Sequence, residues 1–259
     1  MENSRKSGLD CPPHPYQIFT WLYNFASIFV FYFFIVPSQP YLIQILMSSL
    51  FGLSQLLLLF YAFLLTKSNP TDPILYKKKK INLDETYITF CSLCYSEVSP
   101  DSKHCMKCNR CVHKFDHHCK FVNNCIGKSN YNLFLKTAIL MEMVETIFLV
   151  CCTYTIYNWS ADLNGLKEKI NQDYGENADV VLIAICSAFE FLTIAILFAN
   201  GYLLLFHIWL IKHKMTTYDF ISKNKPKSSS MDLTSITDSF GAKVTPTVLI
   251  GLPQFTVNK

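Results

Sequence analysis

The sequence predicts an α-helical polytopic membrane protein with a small cysteine-rich domain beside the membrane. Its composition is 51% apolar and 15% aromatic with 16% charged residues, whereas soluble domains contain about 25% charged residues. Four apolar stretches could each cross the roughly 30 Å of membrane hydrocarbon as a helix, which takes about 20 residues. Between the second and third stretches, the 35 residues from Cys91 to Cys125 hold seven of the eleven cysteines and four of the seven histidines.

The first two spans form one unit, residues 18–65, after a polar segment of residues 1–17. They run from about Ile18 to Val36 and from Tyr41 to Leu65. The short segment Pro37 to Pro40 between them predicts a tight turn, so these two helices should form an antiparallel hairpin. Because the first stretch lacks a small-residue cleavage site, we interpret it as a retained span rather than a signal peptide.

The remaining chain predicts two more spans and three polar regions. Lysine and arginine are concentrated in the segment before the third span and in the C-terminal region, whereas the loop between the third and fourth spans is acidic on balance. Positive charge marks the cytosolic side, so both termini and the cysteine-rich domain should be cytosolic. The units are a linker (66–90), the cysteine-rich domain (91–132), the third span (133–157), a lumenal loop (158–179), the fourth span (180–205) and the C-terminal region (206–259).

The cysteine spacing predicts metal sites. The cytosol keeps thiols reduced, which favours metal binding over disulfide formation. A structural zinc site takes four Cys or His ligands in a tetrahedron, often from Cys-x2-Cys pairs. Two sites would need eight ligands, and six cysteines with two histidines would supply them. One cysteine is then left over. The pairs with this spacing are Cys91/Cys94, Cys105/Cys108 and Cys108/Cys111, and the nearby histidines are His104, His113, His117 and His118.

We interpret Cys119 as the remaining cysteine because it ends the tetrapeptide Asp116-His117-His118-Cys119. A thiol, an imidazole and a carboxylate there could act as nucleophile, base and orienting group. In an extended strand, side chains two residues apart share a face. His117 and Cys119 would then project together, while His118 would project to the other side and could bind metal. Zinc with four protein ligands would act as a scaffold, since such a site is closed.

These motifs resemble the cysteine-rich domain of the Asp-His-His-Cys (DHHC) protein S-acyltransferases, or palmitoyltransferases. The resemblance runs from about Cys91 to Phe134 and includes the motif Asn-Asn-Cys-x-Gly that ends at Gly127. Lys120 follows the tetrapeptide where most members have Pro, which is similar to a branch of the family with Lys there. The resemblance implies small β-hairpins around two interleaved zinc ions, one bound by Cys91, Cys94, His104 and Cys111 and the other by Cys105, Cys108, His118 and Cys125.

The resemblance also implies a reaction. A long-chain acyl group such as palmitoyl would pass from acyl-CoA to Cys119, with His117 as base and Asp116 behind it. It would then pass to cysteine thiols of membrane-associated proteins. Lys120 and Lys128 are expected to contact CoA phosphates, and an endoplasmic reticulum or Golgi membrane is the expected location. The segment Thr216-Thr217-Tyr218-Asp219 resembles the family's Thr-Thr-x-Glu motif, which lies near the active site.

Two other functions stay open at the level of sequence. The first is a non-catalytic membrane scaffold that retains the zinc fold, suggested by Lys120-Phe121 in place of Pro-Trp. The second is a membrane-bound zinc adaptor of the ubiquitin-ligase or nucleic-acid-binding kind. Zinc cross-links would not need the extra His117 and Cys119 pair, so no nucleic-acid partner is expected. Acidic residues within spans are costly and should face protein partners; they are Glu142, Glu145 and Glu190.

Overall fold

The computed structural model describes residues 4–77, 88–161 and 165–224. It confirms a mainly helical chain with small β-hairpins and a cysteine-rich region able to hold zinc. Parts of the predicted N-terminal segment, linker, lumenal loop and C-terminal region lie outside the described residues.

The first helical hairpin has a polar start and a proline-rich turn. Helix α1 spans Pro15–Val30, and His14 caps it by accepting a hydrogen bond from the Tyr16 amide at 3.2 Å. The helical path continues through a π-helical turn, Phe31–Ile35, and a 3-10 turn, Val36–Ser38. Helix α2 then spans Tyr41–Lys67. The short connection makes the two helices neighbours, as the prolines predict.

The cysteine-rich region consists of three antiparallel β-hairpins. A short helix α3, Pro73–Lys77, precedes it. The turns contain Tyr95, Asn109 and Asn123, which all take positive φ angles near 50°; this left-handed conformation closes a tight turn. The paired strands are β1 (Thr89–Cys91) with β2 (Ser96–Val98), β3 (Ser102–Cys105) with β4 (Arg110–His113), and β5 (His117–Cys119) with β6 (Asn124–Ile126).

In the described residues after the hairpins, the helices are α4 (Tyr131–Ser160), α5 (Leu166–Tyr174), α6 (Ala178–Lys212) and α7 (Thr217–Lys223). Helix α4 is central and packs against both α2 and α6. Its Phe148 joins Phe31 and Phe51 in a buried aromatic core, in which the Phe31 and Phe51 rings stack with centroids 3.8 Å apart. Cys151, Cys152 and Cys186 are buried in the same core.

In the described part of the chain, three helical segments are long and apolar enough to cross a membrane: Pro15–Ser38, Tyr41–Lys67 and Ala178–Lys212. The sequence predicts four spans, and the additional one falls within α4, which also carries charged residues such as Lys136 and Glu142. Large apolar side chains on the outer faces are strongly exposed, including Leu42 (78%) and Phe191 (78%). Such surfaces need an apolar environment, so this is a membrane protein.

Polar side chains join the helices inside the bundle. The Tyr23 hydroxyl donates to Glu145 at 2.6 Å and lies 3.0 Å from the Thr193 hydroxyl, and all three residues are buried. The Asn200 amide donates to Glu142 at 2.7 Å. Lipid tails are as apolar as leucine, so apolar contact alone drives helix association weakly and such hydrogen bonds count for more. The expectation that acidic residues here find protein partners is confirmed.

We expect Tyr23→Phe to destabilise the bundle, because Glu145 loses its buried phenolic donor. The expected loss is about 1–2 kcal/mol, measured by thermal or denaturant unfolding in detergent. Tyr32→Phe is the matched control on the same helical hairpin, since the Tyr32 hydroxyl donates at an exposed position to the carbonyl of Ser48. Equal effects of the two substitutions would contradict a structural role for the Tyr23 and Glu145 pair.

Candidate active site

The hairpins bring together two sets of metal-ligand atoms. Within each set, all four atoms lie within 4.8 Å of one another. The Cys94 sulfur lies 3.2 Å from His104 Nδ1 and 3.6 Å from the Cys111 sulfur. Tetrahedral zinc, with Zn–S of about 2.3 Å and Zn–N of about 2.0 Å, separates its ligand atoms by about 3.5–3.8 Å. Both sets therefore fit zinc: Cys91, Cys94, His104 and Cys111 form the first, and Cys105, Cys108, His118 and Cys125 form the second.

The acid–base chemistry of the second set also suits a divalent cation. Hydrogen bonds with Cys108 and Cys125 lower the pKa of the Cys105 thiol. Hydrogen bonds with Cys105 and Cys108 raise the pKa of the Cys125 thiol. Neighbouring thiolates repel each other, so three cannot ionise together without a compensating charge. A bound cation supplies that charge and deprotonates the coordinating thiols.

The middle hairpin contributes to both sets. His104 and Cys105 are adjacent on β3, and they belong to different sets. His104 pairs directly with Cys111 across the β3–β4 hairpin, and His118 pairs with Cys125 across the β5–β6 hairpin. The two sites therefore cross-link all three hairpins into one unit.

Asn124 and Arg110 join this unit to the membrane helices. The Asn124 amide donates to the carbonyl groups of Leu65 at 3.2 Å and Ser68 at 2.8 Å, at the end of α2. The last carbonyl groups of a helix have no partner within the helix, and Asn124 supplies one. Arg110, which is 1% exposed, donates to the Asn124 carbonyl oxygen at 2.6 Å and fixes the orientation of this amide. Asn130 adds a hydrogen bond to the Ser68 hydroxyl at 2.8 Å.

Residues 4–14, which we call the N-terminal strap, cross the same junction. The Arg5 amide donates to the carbonyl of Cys108 at 2.9 Å, and the Gly8 amide donates to the carbonyl of Thr66 at 2.7 Å. Arg110 also donates to the carbonyl of Lys6 at 2.8 Å. The strap thus contacts both the cysteine-rich domain and the end of α2.

Strand β5 directs its two histidines to different partners. His118 Nδ1 lies 3.3 Å from the Cys108 sulfur, within the second metal set. His117 Nδ1 instead lies 2.7 Å from Asp116 Oδ2. Asp116 is buried, and it accepts hydrogen bonds from the Thr217 amide at 3.0 Å and the Thr217 hydroxyl at 2.7 Å. The Asp116 carboxylate therefore orients His117 through one hydrogen bond and is itself fixed by two hydrogen bonds from Thr217.

The end of α6 explains how Thr217 reaches Asp116. Helix α6 continues to Lys212, beyond the predicted span end at Leu205, and stops where Lys214 takes a positive φ of 52°. The amide of Met215 then donates back to the carbonyl of Leu210, which is a common way to end a helix. Thr216 and Asp219 next form a capping box that starts α7. The short turn places Thr217 against Asp116.

Charges in this array shift the titration of both partners. Burial opposes ionisation of Asp116, yet hydrogen bonds from His117 and Thr217 hold the pKa of its carboxyl below the usual value. Burial also disfavours the charged form of His117. The hydrogen bond with Asp116 and the interaction with Cys119 outweigh it and raise the pKa of the imidazole to about 9.

Cys119 lies where the cysteine-rich domain meets the bundle. It is half-buried and packs against an apolar cluster whose buried members are Leu65, Val122, Ile126 and Phe134. Leu203 of α6 contacts the same cluster. The thiol therefore has an imidazole on its own strand and apolar side chains from α2, α4 and α6 nearby.

The two predicted phosphate contacts lie at different places. Lys120 is exposed and follows Cys119 directly, with its ammonium group 5.5 Å from the centre of the Tyr16 ring. The next residue, Phe121, stacks on Tyr16 at 5.6 Å. Lys128 is exposed at the open end of the β5–β6 hairpin, where its amide donates to the carbonyl of His113. The structure therefore does not bring the two lysines together.

Residues 84–224 match the DHHC palmitoyltransferase family, which covers more than half of the chain. The chain belongs to this family. The match includes both metal sets, the Asp116 to Cys119 tetrapeptide and the Thr217 turn.

Curated family members show the same similarity. The chain is 26% identical to human palmitoyltransferase ZDHHC11 over 258 residues, covering 88% of this chain and 61% of that protein. It is 31% identical to probable protein S-acyltransferase 20 of Arabidopsis thaliana, covering 57% of this chain and 21% of that protein. It is 32% identical to probable protein S-acyltransferase 15 of the same plant, covering 53% of this chain and 49% of that protein. The chain thus spans less than two thirds of the length of each.

Several residues of the site were not found by sequence reasoning. Arg110, Asn124 and Asn130 lie within or beside the recognised motifs, but their roles depend on contacts with α2. His207 of α6 lies close to Asp116 and His117, with one ligand atom of each within 4.8 Å of the others. The available signal was the stretch Phe206-His207-Ile208, which resembles the family branch with Lys after the nucleophile, but the partners of His207 come from distant parts of the chain.

Cys94→Ser should lower the zinc content from about two ions per chain to one or fewer, because the first set loses a thiolate ligand. Since β3 carries ligands of both sets, occupancy of the second set should fall as well. Metal analysis of the purified protein measures both effects. Cys11→Ser is the control, because Cys11 is exposed and belongs to neither set. Two zinc ions in the Cys94→Ser protein would contradict the assignment.

Gly8→Ala should release the N-terminal strap, because a Cβ at Gly8 would overlap the carbonyl oxygen of Val122. Overpacking of this kind destabilises the docked strap by about 1–3 kcal/mol. The strap should therefore detach more often, and trypsin should cleave after Arg5 and Lys6 at least about fivefold faster. Leu9→Ala is the control, since Leu9 is 47% exposed. Equal cleavage rates in the Gly8→Ala and wild-type proteins would show that the strap does not depend on this close approach.

Proposed function

We propose that this chain is a protein S-acyltransferase. It moves a long-chain acyl group, such as palmitoyl, from acyl-CoA to Cys119 and then to cysteine thiols of membrane-associated proteins. The observation that carries the proposal is that Asp116, directly before β5, holds His117 on the same strand as Cys119, beside an apolar cluster at the ends of α2, α4 and α6. Membership of the DHHC palmitoyltransferase family supports it.

The first step forms an acyl-enzyme. His117 accepts the proton of the Cys119 thiol, and the thiolate attacks the carbonyl carbon of the acyl-CoA thioester. The bond to the CoA sulfur breaks, and His117 returns the proton to the leaving CoA thiolate. Asp116 keeps Nδ1 of His117 occupied, so the other ring nitrogen is available for the proton transfer.

The second step repeats the chemistry with a different thiol. His117 accepts the proton of a substrate cysteine, whose thiolate attacks the thioester at Cys119. The acyl group moves to the substrate, and Cys119 recovers the proton. One thioester replaces another, so the reaction is nearly balanced in energy. The site's main task is therefore to orient the reacting groups and to activate the thiol.

The acyl chain and CoA need different surroundings. Each buried methylene of the chain gains about 0.8 kcal/mol, which favours a path from Cys119 into the helical bundle. We propose that α4 is the fourth span alongside α1, α2 and α6. Lys120 lies beside Cys119 and is our proposed contact to a CoA phosphate; Lys128 would serve only a CoA that reaches the other end of the hairpin. Lys120 also supports assignment of the chain to the branch with Lys after the nucleophile.

The zinc ions and the membrane define the setting of the reaction. Zinc at the two sets would cross-link the hairpins and keep β5 extended. The basic segments support a cytosolic position for both termini and the cysteine-rich domain, and the proposed location is an endoplasmic reticulum or Golgi membrane. Substrates would then be proteins that present cysteines at the cytosolic face. The complete Asp116, His117 and Cys119 array does not favour the alternative of an inactive scaffold.

Autoacylation tests the proposal. Wild-type protein in detergent or bilayers, incubated with labelled palmitoyl-CoA, should acquire a label that neutral hydroxylamine releases. Cys119→Ser should abolish the hydroxylamine-sensitive label, and His117→Ala should slow labelling by about 100-fold or more because the base is lost. Cys11→Ser is the matched control and should label normally. A wild-type protein that holds zinc and takes up no label would overturn the proposal in favour of the scaffold.

A further inference from the structure

His207 and Tyr131 form a buried pair beside the proposed base. The Tyr131 hydroxyl lies 2.9 Å from His207 Nδ1, and His207 is 1% exposed. Tyr131 belongs to the first turn of α4, and His207 lies near the end of α6. Their hydrogen bond therefore joins two membrane helices at the level of β5. The reaction proposed above does not use either residue.

The rings of His117, Phe134 and His207 contact one another beside β5. His117 packs edge-to-face on Phe134 with ring centroids 5.2 Å apart, and Phe134 packs edge-to-face on His207 at 4.9 Å. The His117 and His207 rings are 5.8 Å apart. The imidazole of His117 thus packs against a surface formed by the rings of Phe134 and His207. The hydrogen bond with Tyr131 fixes the position of the His207 ring in this surface.

This surface restricts rotation of the His117 ring, which the hydrogen bond with Asp116 alone does not. Rotation about the last side-chain bond of histidine is broad and has no sharp minimum. A single hydrogen bond from Asp116 fixes one ring nitrogen but leaves the ring plane free to turn about that contact. The packed faces of Phe134 and His207 restrict this rotation. They therefore determine where the second nitrogen of His117 points relative to Cys119.

A third metal site is the competing interpretation, since Asp116, His117 and His207 each offer an atom within 4.8 Å of the others. The hydrogen bonds argue against it. Asp116 Oδ2 is occupied by His117 and the Thr217 hydroxyl, and Oδ1 is occupied by the Thr217 amide. His207 Nδ1 is occupied by Tyr131. Both oxygens of Asp116 and the Nδ1 atoms of both histidines therefore already have hydrogen-bond partners.

We propose that His207, held by Tyr131, is a positioning residue that sets the orientation of His117 toward Cys119. The inference rests on the proposed acyltransferase function for its role in the reaction. Its physical content, the orientation of one imidazole by another, can be tested without any acyl transfer.

The experiment compares three variants of the full-length protein. His207→Leu keeps an apolar side chain against His117 and removes the hydrogen bond to Tyr131. His207→Asn keeps a polar atom that can bond to the Tyr131 hydroxyl. Tyr131→Phe removes that hydroxyl alone. His213→Leu is the control, because His213 is exposed near the same end of α6 and, among the described residues, its imidazole hydrogen-bonds to the carbonyl of Trp209 in the same helix.

Two rates are measured on each protein. The first is autoacylation with labelled palmitoyl-CoA at saturating and half-saturating concentrations. The second is alkylation of Cys119 by iodoacetamide, followed by peptide mass spectrometry and expressed relative to exposed Cys11. Alkylation also depends on the contact between the thiol and His117, and it needs no acyl donor. Zinc content is recorded for every preparation.

We expect His207→Leu to slow acylation at saturating palmitoyl-CoA by about 10- to 100-fold, the effect of a misplaced base. The half-saturating concentration should change less than about twofold, because substrate binding is untouched. Tyr131→Phe should slow acylation by about 3- to 10-fold, and His207→Asn should recover part of the loss. The Cys119 to Cys11 alkylation ratio should change in the same order, with zinc content constant and the His213→Leu protein unchanged.

Four results would overturn the inference. One is a wild-type acylation rate and alkylation ratio in His207→Leu. Another is slower acylation with an unchanged alkylation ratio, which would make the pair a helix contact only. A third is a metal ion lost specifically with His207. If His207→Leu does not fold, normal rates in Tyr131→Phe would overturn it instead. A wild-type protein without autoacylation would overturn the proposed function, and the alkylation ratios would still decide the role of His207.

Discussion

The hydrogen bonds from Asn124 to the last carbonyl groups of α2 hold the two halves of this protein together. The carbonyl groups belong to a membrane helix, and Asn124 belongs to the strand that pairs with β5. Burying a carbonyl group without a partner costs about 1–3 kcal/mol, so each half satisfies a need of the other. Buried Arg110 keeps the amide correctly turned. These hydrogen bonds therefore determine where Cys119 lies relative to the ends of the membrane helices.

The site is assembled from two distant parts of the chain. The cysteine-rich domain provides Asp116, His117 and Cys119, while the end of α6 provides His207 and the start of α7 provides Thr217. Pairing with β6 keeps β5 extended, so His118, which belongs to the second metal set, and His117, which packs on Phe134, can be neighbours in sequence. Scaffold and chemistry are thus encoded in alternate residues of one short strand.

Much of this could be predicted from sequence because the signals are local. Cysteine spacing predicts two metal sites, the family resemblance divides their ligands into two sets, and the alternation of side chains in a strand separates His117 from His118. The contacts of Arg110, Asn124 and His207 could not be predicted, since each depends on how the domain docks on helices far away in sequence. The fourth predicted span falls within α4, whose acidic residues find their partners only in the packed bundle.

The N-terminal strap has a consequence for how the protein is made. Its contact between Lys6 and Arg110 joins residues 104 positions apart, so the strap leaves the ribosome long before its binding surface exists. Two membrane helices must be inserted and the zinc-binding hairpins folded before that surface is complete. The strap is therefore synthesised before the surface on which it docks, and its docking closes a long loop whose entropy cost has already been reduced by the folded segments within it. The strap acts as a latch on a finished domain.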